Sequence, residues 1–161
     1  MLQTNLWVSK TRLGQSNSEG RGIMKKGQDN LRIALRDNLN MNFYKVHGNG
    51  GIPNLHYIGE GDFPSGWMEI IHLDDWGKRV SSGLRLEQAQ WIHDYIERGG
   101  SAWIVIRIQK ALCLFWGGSV FDIRDRPNPK KFMDLATWKK NGNLSKHDWK
   151  EVENIILNAN S

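Results

Sequence analysis

The sequence predicts an α/β protein, with a mixed sheet flanked by helices and further helices at the C-terminal end. Three observations carry this. Apolar residues recur at helical spacing in three separate stretches. Short β-branched and aromatic runs, broken by glycine, lie between the first two. Two nearly continuous apolar runs then stand back to back around position 110. A chain of 161 residues, 39% hydrophobic and 24% charged, can bury such a core without covalent staples.

Residues 1–27 contain Gly14, Gly20, Gly22 and Gly27 with scattered Ser, Asn and Gln, and no apolar period. They read as a flexible basic arm in which Leu6-Trp7-Val8 offers a short anchor. An α/β core is expected over 28–128. Its first helix runs from about Gln28 to Asn40, with Leu31, Ala34, Leu35 and Leu39 as one stripe. Phe43–His47 and Leu55–Ile58 read as strands separated by Gly48-Asn49-Gly50-Gly51, and Trp67–His72 is a third. Leu86–Arg98 is the second helix, closed by Gly99-Gly100. Ala102–Ile108 and Ala111–Trp116 are strands buried on both faces, joined by a turn at Gln109-Lys110. A C-terminal helical extension, 129–161, holds helices near 130–140 and 146–158. The latter is capped by Ser145, with Asp148 three residues on. The order is α-β-β-β-α-β-β, with a helical crossover between the third and fourth strands.

Composition excludes several classes. A single cysteine, Cys113, rules out a disulfide framework and a cysteine-rich zinc site. The longest apolar run, Ala111–Trp116, is far too short to span a bilayer, so no membrane association is expected. The first residues lack a secretory layout, which predicts a cytoplasmic setting. His47, His56, His72, His93 and His147 have no zinc spacing, and the 48–51 glycines lack the Gly-Lys-Ser/Thr of a P-loop.

Charge is uneven along the chain, whose net value is +5. Residues 1–28 carry five basic groups against one acidic, and 124–161 carry eight against five. Between them nine basic groups face eleven acidic ones. Basic flanks around an acidic centre suit a polyanionic partner such as DNA.

The informative stretches are Gly50-Gly51-Ile52-Pro53-Asn54-Leu55, Gly66-Trp67-Met68-Glu69-Ile70-Ile71, Leu86-Glu87-Gln88-Ala89-Gln90-Trp91 and Gly99-Gly100-Ser101-Ala102-Trp103. In order and spacing they resemble the PD-(D/E)XK nuclease superfamily, in particular its small phage-type and VRR-Nuc-like members. The resemblance covers about residues 28–116. It implies a restriction-endonuclease-like fold and hydrolysis of DNA phosphodiesters with Mg2+ or Mn2+. By position, Glu69 and Asn54 would be the metal ligands, and Gln88 would sit at the family's helix glutamine. For a phage-type protein the cytoplasm is that of the host, and the resemblance also suggests pairing into a homodimer.

The underlying chemistry requires two carboxylates for a hard cation and a lysine to position or deprotonate a metal-bound water. In Glu-x-Lys both side chains share one strand face. Here the family's Asp is Asn54 and its Lys is Ile71, and only Glu69 remains. Asparagine brings no charge, and isoleucine cannot polarise water. Lys45 or Lys78 could stand in for the missing cation, with Lys45, His47, Lys78 and Arg79 as nucleic-acid contacts and His56 on the strand face of Asn54. The eight tryptophans include candidate base-stacking surfaces, although packing accounts for most of them. Two readings follow from the sequence. One is a metal-dependent DNA endonuclease. The other is an inactive pseudo-nuclease kept as a module binding DNA or a host or viral protein.

Overall fold

The computed structural model describes residues 8–10, 23–47, 51–61 and 65–159, with side chains from Lys26 onward. Among these, seven strands form one sheet whose spatial order follows the chain: β1 (Val8–Lys10), β2 (Met41–Val46), β3 (Leu55–Gly59), β4 (Ser65–Leu73), β5 (Ala102–Ile108), β6 (Ala111–Trp116) and β7 (Trp138–Asn141). Every neighbouring pair is antiparallel except β4 and β5, which run parallel. Helix α2 (Leu86–Glu97) makes the crossover between them, so the class is α/β with a mixed sheet.

Helices cover both faces. The Leu31, Leu35 and Leu39 stripe seats α1 (Ile23–Asn38) on one face, beside Trp149, Val152 and Ile156 of α5 (Lys146–Asn158). Each buried leucine of that stripe stabilises the fold by about 1.5–3 kcal/mol. On the other face Ala89 and Ile92 of α2 pack with Val120 and Ile123 of α3 (Val120–Arg124) and Phe132 of α4 (Pro129–Leu135). β5 and β6 contribute to both cores, as their unbroken hydrophobicity predicts. No helix among the described residues is long and apolar enough to cross a membrane.

Three expectations change. Helix α1 begins at Ile23, so the end of the expected 1–27 arm is helical, and Val8–Lys10 pairs with Tyr44–Val46 as an edge strand. Leu6 and Trp7 of the expected anchor lie outside the described residues. The helix expected over 130–140 stops at Leu135, and Trp138–Asn141 instead extends the sheet beside β6. α3 was not expected, because a five-residue helix shows no sustained period. The capping box at Ser145 forms as expected: its hydroxyl accepts the Asp148 N–H, and the Asp148 carboxylate accepts the Ser145 N–H.

Candidate functional site

Alternation along β4 divides its residues between the two cores. Met68 and Ile70 face α1 and α5, while Trp67, Glu69, Ile71 and Leu73 face the α2 side. Glu69 is therefore a carboxylate on an apolar wall, only 6% exposed. One of its oxygens accepts the Asn54 backbone N–H at 2.9 Å, and the other accepts Gln88 Nε2 at 3.1 Å. Burial pushes its carboxyl up to about 7, against the pull of those two hydrogen bonds and the nearby Arg85 charge.

Asn54 precedes β3, and its carbonyl accepts the Val46 N–H at 3.0 Å. Its side chain turns to the β4 backbone and makes two bonds there. Oδ1 accepts the Ile70 N–H at 2.9 Å, and Nδ2 donates to the Ile70 carbonyl at 3.1 Å. Gln28 of α1 donates to the same carbonyl at 2.7 Å. Gln88 is held from behind, since its Oε1 accepts the Arg85 N–H at 3.0 Å. The loop before β3 closes onto this cluster at Gly51, with φ of +90°. Any Cβ at Gly51 would run into the Glu87 carbonyl in the first turn of α2, so only glycine lets the loop approach this near.

Three residues singled out by motif thus meet: Asn54, Glu69 and Gln88. Ile71 shares Glu69's face and is packed into the α2-side core, at the position where the resemblance implies a lysine. His56 lies on that face too, across from Trp67, and burial pushes its imidazole down.

The expected cations fall elsewhere. Lys45 pairs in register with Leu55, which pairs with Met68. Directly opposed residues share a face, so Lys45 stands on the α1 and α5 side and not beside Glu69. His47 is exposed just past β2. Lys78 and Arg79 are exposed on the loop after β4, with Arg79 donating to the Arg126 carbonyl and the loop pinned by the Val80 N–H to Pro127. The cation that does act on Glu69 is Arg85. Sequence reasoning missed Arg85 and Gln28. Arg85 had a signal, standing three residues before Gln88 where α2 starts. Gln28 had none, because its partner is 42 residues away.

The polar centre is thus one carboxylate among three amides. Both amide oxygens nearest it, Asn54 Oδ1 and Gln88 Oε1, already accept backbone N–H groups. Among the described residues no group of three or more His, Cys, Asp and Glu could hold a metal ion. A scan against protein-family models finds no match, and neither does a search of the curated proteins.

Proposed function

We propose that this chain is a nucleic-acid-binding module of the restriction-endonuclease-like architecture in which metal-dependent hydrolysis has been given up. The fold supports the lineage: three antiparallel strands, a helical crossover, a parallel strand and a hairpin partner are the arrangement the PD-(D/E)XK resemblance implies. The net charge of +5 supports a polyanionic partner.

One observation carries the loss of chemistry. The Asn54 side chain is tied at both ends to the Ile70 backbone, and the Glu69 carboxylate is already held by N–H donors. Mg2+ or Mn2+ needs hard anionic oxygens with free lone pairs. A carboxyl that burial holds at about 7, beside two committed amide oxygens, does not fit either ion.

The test compares DNA cleavage in Mn2+ by the parent, Asn54→Asp, Ile71→Lys and the double variant. The parent and single variants should be silent, with cutting and a Mn2+-dependent rise in Tm only in the double variant. The parent should also bind DNA with affinity that falls steeply with salt. Cleavage by the parent that Glu69→Ala abolishes would restore the endonuclease reading. Absence of DNA binding together with capture of a defined protein would move the function to protein recognition.

A further inference from the structure

Along α2, Gln88, Trp91 and Tyr95 fall at i, i+3 and i+7, so one stripe runs outward from Glu69's hydrogen-bond partner. The adjoining stripe, Ala89 and Ile92, fills the core. Trp91 and Tyr95 lie nearly parallel, 13° apart with centroids at 5.1 Å. On the sheet beside α2, Trp67 meets the edge of Trp91 at 5.4 Å, and His56 lies 4.7 Å from Trp67. All four rings are half-buried, unlike Trp103 and Phe115 in the cores. Tyr44, also half-buried, continues the row through its register pairing with His56.

The rings are also held in place. A side chain at Gly100 would collide with the Tyr95 ring, so that ring lies directly over the Gly100 backbone. Trp67, Trp91 and Tyr95 pack on one side against the α2-side core and, with His56, stay partly open to water beside the polar centre. A flat ligand laid on their faces would remove that exposed area. Arg85, at the inner end of the row, complements a phosphate joining one flat group to the next.

We propose that this row is a stacking platform for unpaired nucleobases, leading a single strand past Glu69. The proposal rests on the nucleic-acid reading above and names the form of nucleic acid it takes. Bases within a duplex are already stacked on one another, so only a single-stranded or extruded base can lie on the rings.

The experiment measures, at one fixed salt concentration, binding of the full chain to an oligothymidylate and to an abasic oligonucleotide of equal length. Quenching of tryptophan fluorescence and anisotropy of labelled strands report the two. The oligothymidylate should bind roughly tenfold more tightly, as stacking of a base predicts. Trp91→Ala should remove that advantage while leaving the abasic affinity unchanged, and Trp91→Phe should keep most of it. Tyr95→Ala gives the same comparison if Trp91→Ala does not fold. Equal affinity of the parent for both strands would overturn the platform while leaving backbone binding intact. Binding of neither strand would overturn the function as well. A concentration-dependent dimer abolished by Trp91→Ala would assign the rings to a second copy of the chain and overturn the platform.

Discussion

Two regions of this protein bury carboxylates, and they treat them in opposite ways. On α5, Asp148 is 8% exposed and Glu153 is 5% exposed, comparable to Glu69 at 6%. Asp148 is held down to about 2, first by the Lys140 ammonium and then by the Ser145 N–H of the helix cap. For Glu153 burial opposes the charge, yet bonds from Lys150 and the Asn40 N–H together outweigh it and lower its pKa. Glu69 receives amide N–H groups and a more distant Arg85, and it rises to about 7. The α5 acids are structural: each is given a cation and ties one element to another. Glu69 is buried at a net cost, which is the burial pattern the proposed function expects of a site residue.

The contrast sets two separate pH windows. Asp148, with its pKa lowered, contributes stability that is present above its ordinary 3.8 and lost as pH falls through about 2. Glu69, with its pKa raised, opposes this at higher pH. Its folded form holds the proton more tightly, so the stability it confers is complete below 4.5 and lost as pH rises through about 7. Taken as a pair, these two groups favour the fold most between their windows, near pH 4 to 4.5, while Glu153 and His56, both lowered, add stability as pH rises above that range.

The largest break in the comparison is Glu69→Gln. Urea unfolding at pH 4.5 and pH 7.5 should show the parent losing roughly 3 kcal/mol more than the variant over that interval. An equal slope in both proteins would mean that Glu69 is not the titrating group. Gln88→Leu sharpens the contrast by removing one of the two hydrogen bonds to the carboxylate. It should move the Glu69 titration further upward by carboxyl NMR and cost about 1–2 kcal/mol above pH 8. At the other pole, Lys140→Met should shift acid unfolding to higher pH, followed by near-UV circular dichroism, with a loss of stability that stays constant between pH 5 and 8. Lys150→Ala should do least, under about 1 kcal/mol, because Lys150 is largely exposed and Glu153 keeps the Asn40 N–H.

What could be read before the structure was whatever is encoded locally or by order. The stripe of Leu31, Leu35 and Leu39, the Ser145 cap and the paired runs 102–108 and 111–116 each announce their element within a few residues. Motif order brought Asn54, Glu69 and Gln88 to one point. β7 was unreadable because Trp138–Asn141 becomes a strand only by pairing with β6. The Asn54–Ile70 bridge was hidden as well, since an asparagine side chain standing in for a backbone partner has no spacing signature. Lys45 failed for a different reason. Alternation puts it with Phe43, but only the register with Leu55 and Met68 says which side of the sheet that is.

A sheet laid down in chain order also governs how the polypeptide assembles. Three of the six neighbouring pairs, β2–β3, β3–β4 and β5–β6, are joined by short loops and can zip together as hairpins soon after both strands exist. The seam between β4 and β5 must wait until the whole crossover has formed, and it is the most extensively paired seam in the molecule, from Trp67–Ala102 to Leu73–Ile108. Pairing across so long a connection places closure of that seam among the later steps of folding, and until then the hydrophobic flanks of both strands are open to aggregation.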